Sequence, residues 1–383
     1  MSTVAIVGGG SGGLVAANKL RSRLGAEHQI VVFDRDTHHR FQASFLWVMA
    51  GRRTPQAIVR PLSRLGRKGI RYVNAAVEGV DTAAGRLTAG GQEHGYDYLI
   101  LAPGAELAPE ALPGLREISL TPYHLNGAVA LRDALQRFPG GKIVVLVAGK
   151  PYKCPAAPYE AALLVDWMLR HRGVRADTEI TVISWEPQPM PVAGREMGDA
   201  VLSMLTAKGV DFSPQMKVAE IDPEGREIIF EGGERVTADL IVSVPPHQLP
   251  RFCADSGLAE PGGWLSVVDP RSMAMARERV WAIGDAVVIK LPVGLPLPKA
   301  GVFAHHQAEA VAETIAADIT GKGTAGSFDG SGFCWIETGG SRAGYGSGDF
   351  YADPKPVMKI GRPTRLHHLS KVLFERWWLW RWF

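Results

Sequence analysis

The sequence predicts an α/β fold, two parallel-sheet domains in tandem closed by a C-terminal segment of different character. Three observations predict it. Short apolar strands alternate with helical stretches through the first third, Val4–Val7, then Leu14–Leu24, then Ile30–Phe33, the order of a parallel βαβ unit. A second strand-and-helix series opens at Lys142–Val147 and Pro158–His171, after a stretch punctuated by Pro103, Gly104, Pro109, Pro113, Gly114 and Pro122. At 383 residues the chain is also too long for one compact core.

The remaining elements follow in order. Glu179–Ser184 and Leu240–Val244 extend the second series until Pro245-Pro246 breaks it, and Trp281–Gly284 with a helix over about Gly301–Ile319 returns the chain to the first domain. The expected organisation is a discontinuous first domain (1–115 and 246–325), a second domain (116–245) and a C-terminal region (326–383) entered through the Gly-rich connector Gly321–Gly332. A formal charge of +3 provides no basic field of the kind that binds nucleic acid. Val4-Ala5-Ile6-Val7 follows Met1 too closely for a secretory leader, so the expected location is cytoplasmic. No stretch is apolar for long enough to span a bilayer, which leaves only peripheral membrane contact. Cys154, Cys253 and Cys334 are odd in number and far apart, so neither a disulfide scaffold nor a metal site is expected.

Gly8-Gly9-Gly10-Ser11-Gly12-Gly13 sits between the first strand and a helix rich in small residues. Gly8 permits the tight turn, Gly10 lets backbone approach a pyrophosphate, and Gly13 lets helix pack on strand, with Ser11 at the helix start facing the anion. Asp34 ends the next strand where a carboxylate can reach ribose hydroxyls. A Gly-rich turn without ligand is the alternative. The pattern does not choose between NAD and FAD, since both present the same adenosine diphosphate half.

Two further segments bear on that choice. Val280-Trp281-Ala282-Ile283-Gly284-Asp285 is an apolar strand ending in Gly-Asp, and Tyr98-Leu99-Ile100-Leu101-Ala102-Pro103-Gly104 ends in a small-residue turn. With the first motif they resemble the flavoprotein disulfide reductase superfamily, a resemblance that implies FAD and two Rossmann-like nucleotide-binding domains in tandem. It implies that Gly284 and Asp285 meet the ribityl and phosphate region and that Ala102 and Gly104 lie by the cofactor. It also implies that Lys299-Ala300-Gly301 opens a helix whose positive end faces the flavin. His305 and His306 on that helix point to different faces and read as packing or surface residues.

The second domain does not repeat the glycine pattern. Ile143-Val144-Val145-Leu146-Val147 is followed by Ala148-Gly149-Lys150-Pro151-Tyr152-Lys153-Cys154-Pro155, where prolines and a cysteine replace the glycines a pyrophosphate needs. That segment, with Gly332-Phe333-Cys334-Trp335-Ile336-Glu337, resembles the sulfide:quinone oxidoreductases and the related sulfide-oxidising flavocytochrome flavoproteins. The resemblance implies a redox-active pair, Cys154 and Cys334, that carries two electrons from sulfide through FAD to a membrane quinone. Lys153 and the helix starting near Pro158 predict a lowered Cys154 pKa. Glu160 matches an acidic residue proposed to handle protons, or else is a favourable first-turn glutamate, and His124 matches a histidine near the flavin in some relatives. Cys253 matches nothing and reads as a filler. Phe333, Trp335 and Phe350 are candidates to sandwich the quinone. Type II NADH:quinone oxidoreduction and a cytochrome acceptor are the alternatives.

Arg365 through Phe383 reads as a helix with Leu366, Leu369, Leu373, Trp377 and Trp380 on one apolar face, joined by Trp378 and Trp382. Lys371, Arg376 and Arg381 accompany it with only Glu375 opposing, the composition of a membrane-associating segment on the cytoplasmic face of the cell membrane. A dimer interface or a lid on the protein's own core is the alternative, and self-association stays open. On the membrane reading, removing the chain from Leu366 onward leaves a folded flavoprotein.

Overall fold

The computed structural model describes all residues, Met1–Phe383. Strands β1 (Thr3–Val7), β2 (Gln29–Asp34), β3 (Arg71–Asn74) and β4 (Tyr98–Leu101) belong to the first sheet. Strands β5 (Ser119–Leu120), β6 (Gly141–Val147), β7 (Thr178–Ser184), β8 (Asp211–Ser213) and β9 (Leu240–Val244) form the second. Strand β10 (Val280–Ala282) returns to the first sheet, giving the order β10-β4-β1-β2-β3, every pair parallel. The second sheet has the order β5-β9-β6-β7-β8, also parallel throughout. Parallel strands covered on both faces must be apolar on both, which is why β1, β4 and β9 are almost wholly apolar, Ser243 being the one buried polar residue among them.

Helix α1 (Ser11–Arg23) follows β1; α2 (Phe45–Met49), α3 (Leu125–Arg137), α4 (Ala157–Arg172), α5 (Arg195–Thr206) and α6 (Gly301–Thr320) follow in chain order. Helix α6 packs along α1 and covers the first sheet. Helix α4 is buried from Ala157 to Asp166 on every side, so its two carboxylates need partners. Asp166 takes Arg170 at 2.9 Å and Arg175 at 2.7 Å. Glu160 finds its partner elsewhere, as described below.

The C-terminal region departs from the sequence reading. Instead of a connector running into a tail, β11 (Ser331–Gly339), β12 (Arg342–Asp349) and β13 (Val357–Thr364) form an antiparallel sheet before α7 (Arg365–Arg381). Gly344, Gly346 and Gly348 on β12 dilute the alternating pattern by which such a strand is recognised. The sheet lays β11 against α4, and α7 covers the sheet's other side.

Candidate active site

At the end of β1, Gly8 has φ +103°, and a Cβ there would lie 2.2 Å from the Ala102 carbonyl oxygen. A Cβ on Gly13 would overlap the Gly8 carbonyl oxygen at 1.8 Å, whereas one on Gly10 would meet nothing within 4 Å. The turn is thus packed tight on its inner side and open at Gly10. Asp34 accepts from the Gly9 amide at 2.5 Å and from the Asp36 amide at 2.8 Å, which holds its carboxylate at the mouth of the turn. The start of α6 reaches the same place, since a Cβ on Gly301 would come within 3.6 Å of Ser11 Oγ. Gly104, with φ +74°, has open space at its Cα.

Asp285 follows Gly284, whose amide is fixed by Gln307 at 2.7 Å. Its Oδ1 is buried with no hydrogen-bond partner, and burial raises its pKa against the charges of Lys153 and Lys299. Lys299 does not satisfy that oxygen: its Nζ donates to the backbone carbonyls of Asp285 (2.7 Å) and Val287 (3.0 Å). An orphaned carboxylate oxygen near two converging helix starts suits a ligand that carries hydroxyl and phosphate groups.

Cys154 lies between β6 and α4 at φ +50°, a left-handed conformation costly for a side chain with a Cβ. Its amide donates to the Lys299 carbonyl at 2.7 Å, tying the cysteine turn to the segment that opens α6. Cys334, midway along β11, faces the same place, close enough for the charge of Cys154 to act on it. Both thiols are free. The expected low pKa is overturned. Cys154 opens toward solvent, yet surrounding protein pushes the thiol up to about 11, with Glu160 adding to the shift and Lys371 opposing it. Lys153, the expected activator, turns away to donate to the Ala105 carbonyl at 3.2 Å. Burial likewise pushes Cys334 up to about 12.

Lys371 is the cation that sequence reading assigned elsewhere. It is buried rather than on the outer face of α7, and its Nζ donates to Glu160 Oε1 at 2.6 Å while lying 4.9 Å from the Trp47 ring centre. It faces two carboxylates, Glu160 and Glu337, so its pKa is raised despite burial. Glu160 has one cationic partner, which does not fully offset desolvation, and its carboxyl is pushed up to about 7. Glu337 in turn lies 2.9 Å from His368 Nδ1, one turn before Lys371.

Other candidates scatter. His124 caps α3, its Nδ1 accepting from the Gly127 amide at 2.8 Å, and burial lowers its pKa. Its neighbour Tyr123, which the sequence did not single out, donates to the Cys154 carbonyl at 3.4 Å. Phe333 and Trp335 project from β11 toward α7, with ring centres 5.9 and 5.3 Å from Phe374. Phe350 is not with them; it is buried 5.1 Å from Phe303 under α6, a core residue. His305 and His306 pack as expected, the first against Trp377 and Trp382, the second against the Ser331 carbonyl. Cys253 is fully buried, in keeping with a filler.

In the second sheet the corresponding turn is filled by the chain itself. Tyr152 packs against Val147 and Val244 and donates to Glu186 Oε2 at 2.8 Å. Lys150 Nζ lies 3.9 Å from the Trp185 ring centre. Glu186 follows β7, where a ribose-binding carboxylate would stand, but the Tyr152 hydroxyl already engages it.

Helix α7 has two characters. Leu366, Leu369, Leu373, Trp377 and Trp380 are exposed, Trp380 by 75%. Trp378 and Trp382, expected to join them, are only 2% exposed and face the core, because they lie on the opposite side of the helix. His39, whose Nδ1 lies 3.0 Å from the Gly9 carbonyl, stacks on Trp378 at 4.9 Å. Glu375 accepts from Arg53 at 2.8 Å and from Ser44. No helix is long and apolar enough to cross a membrane.

Two parallel sheets, a glycine cradle after the first and a cysteine turn tied to the segment that opens α6 fit a flavin-type oxidoreductase, and the chain belongs to the pyridine nucleotide-disulphide oxidoreductase family, whose model matches residues 2–310. Among curated proteins it is similar to the sulfide-quinone reductase of Aquifex aeolicus, 27% identical over 99% of this chain and 90% of that one. The mitochondrial sulfide:quinone oxidoreductase of Mus musculus is 24% identical over 92% of this chain and 79% of its own length. The crystal structure of the Aquifex aeolicus sulfide:quinone oxidoreductase superposes with a TM-score of 0.89 at 25% identity, covering all of this chain and 91% of that one.

Proposed function

We propose that this protein oxidises sulfide and delivers two electrons, through Cys154 and Cys334 and FAD, to a membrane quinone. The observation that carries the reading is that two thiols 180 residues apart in the chain lie within reach of each other's charge and of the Glu160–Lys371 pair, Cys154 on a turn hydrogen-bonded to the segment that opens α6. Gly8, Gly10, Ser11 and Gly13 would hold the FAD pyrophosphate, Asp34 the adenosine ribose, and Asp285 the ribityl chain through its unpartnered oxygen. Ala102, Gly104, Gly284, Lys299 and Gly301 would form the surrounding walls. When bound, FAD supplies a two-electron acceptor for the sulfur chemistry and a donor to the quinone.

Hydrosulfide attacks the oxidised pair, breaking its S–S bond, forming a persulfide on one cysteine and releasing the other as thiolate. Burial pushes these thiols up to about 11 and 12, so a thiolate released here is strongly basic, and Glu160, titrating at about 7, is the group placed to hand it a proton and take that proton back. Lys371 keeps that carboxyl oriented. Phe333, Trp335 and Phe374 form an aromatic wall between β11 and α7 on which a quinone ring would stack. The exposed stripe of α7 would seat the enzyme on the cytoplasmic face of the membrane, and the sequence names no fixed oligomeric state.

The test is anaerobic mixing of the FAD-loaded protein with sulfide, then turnover with a soluble quinone analogue. Sulfide should bleach the flavin. Cys154→Ser and Cys334→Ser should each abolish turnover while flavin stays bound, and Cys253→Ser should not. Near wild-type turnover in either active-pair variant would defeat the relay.

A further inference from the structure

Between the C-terminal half of α7 and residues 53–64 lies a cavity of about 670 Å³. Four guanidinium groups line it, those of Arg53, Arg60, Arg64 and Arg376. Its one carboxylate side chain, Glu375, is already engaged by Arg53 at 2.8 Å and by Ser44. Arg60 donates to the carbonyls of Ala57 (3.1 Å) and Val59 (2.8 Å), which aims its head without neutralising it. Desolvation and then the nearby charge of Arg64 disfavour the charged form of Arg60, Glu375 opposes them only in part, and Arg60, Arg64 and Arg376 have no carboxylate side chain within ion-pair distance. Four guanidinium groups around a single side-chain carboxylate leave an excess of positive charge, which an anion would offset.

The rest of the wall is apolar: Leu379, Trp380 and Phe383. Trp380 also ends the exposed stripe that starts at Leu366, so the cationic cavity and the stripe are continuous along one flank of α7. A ligand that fits both parts has an anionic head and long apolar chains. Arginine in place of lysine suits phosphate, whose oxygens the guanidinium fork engages in pairs.

We propose that this cavity binds the phosphate of an anionic phospholipid, whose acyl chains continue along the exposed face of α7. The proposal rests on the reading that α7 lies on a membrane, and it adds selectivity: the enzyme recognises a headgroup rather than only an apolar surface. Arg53 is left out of the test because it holds Glu375 in place.

The experiment uses the full-length, FAD-loaded protein in vesicle sedimentation, with phosphatidylcholine alone and with phosphatidylglycerol added, at constant ionic strength. Wild type should partition more strongly onto the anionic vesicles. Replacing Arg60, Arg64 and Arg376 with Gln should erode that preference by about fivefold per arginine, the effect of one cation near an anionic surface. Binding to neutral vesicles should persist, since the stripe is untouched, and an unchanged thermal midpoint and flavin spectrum would show that the variant is folded.

Four outcomes overturn the proposal. If Arg277→Gln, Lys322→Gln and Lys355→Gln together, exposed cations outside the cavity, erode the preference equally, the effect belongs to the whole protein's field. If inorganic phosphate releases the protein from vesicles more than chloride at equal ionic strength, the occupant is a soluble anion. Wild type that binds both vesicles equally sinks the headgroup site alone, whereas wild type that binds neither sinks the membrane reading beneath it.

Discussion

At the scale of single residues, burial decides more of this site's chemistry than sequence neighbours do. Lys153 adjoins Cys154 in the chain and points elsewhere, while Lys371, far away in sequence, supplies the cation that opposes its raised pKa. The alkylation rate of Cys154 in the reduced protein should therefore climb about tenfold per pH unit with no plateau below about pH 10. A plateau near neutrality would mean an activated thiolate instead. Glu160 gives a second prediction. Its folded pKa of about 7 lies above the ordinary 4.5, so the native state retains a proton that the unfolded chain releases. The stability this contributes is present below the unfolded pKa and lost as pH rises through 7. The thermal midpoint of wild type should fall between about pH 5 and about pH 8 by more than that of Glu160→Gln, which carries no titrating carboxyl there. Parallel curves would show that Lys371 keeps Glu160 ionised throughout.

At the scale of elements, the legible parts were those with one strong period. The central strands of both sheets and helices α1, α4 and α6 follow from apolar runs, glycines and helix spacing, whereas the edge strands β3, β5 and β8 are too short or too polar to show a pattern. The antiparallel sheet β11–β13 was not legible, since its glycines leave too few side chains to show alternation. Helix α7 was half legible. Spacing groups Leu366, Leu369, Leu373, Trp377 and Trp380 correctly, but it cannot say which side of a helix meets the protein when both sides carry tryptophan. The structure turns Trp378, Trp382, Lys371 and Glu375 inward. Deletion from Leu366 onward is therefore not the clean probe it first promises to be. Removing two buried tryptophans costs about 3–5 kcal/mol each, and the deletion also strips Glu160 and Arg53 of their partners. Unfolding curves of the truncated protein should show a large loss of stability. Replacing the five exposed residues with Ser should leave the thermal midpoint close to wild type and abolish vesicle sedimentation. Undiminished sedimentation would move the membrane contact off this helix.

At the scale of the whole molecule, two parallel sheets that share a four-strand core order carry opposite turns. The turn after β1 is open at Gly10, with an unpartnered Asp285 oxygen nearby, whereas the turn after β6 is occupied by Lys150, Pro151 and Tyr152. The missing glycines were legible as letters; that Tyr152 engages Glu186 was not, because such a contact depends on how a side chain folds back over its own strand. Pyridine nucleotide would have to displace Tyr152 from its buried contacts with Val147 and Val244, and Lys150 from the Trp185 ring, before its pyrophosphate could approach the strand end. On the proposed reading the second sheet frames the cysteine turn instead of feeding electrons through it: the segment after β6 leads to Cys154, whose amide is held by the Lys299 carbonyl. Under anaerobic stopped-flow, sulfide should bleach the flavin within the mixing experiment while NADH at equal concentration does so poorly. Opening the turn with Tyr152→Gly and Lys150→Gly should not restore NADH reduction, because Cys154 and its prolines still occupy the path. Rapid bleaching of wild type by NADH would place the electron entry at the second sheet and assign the protein to nicotinamide-dependent quinone reduction.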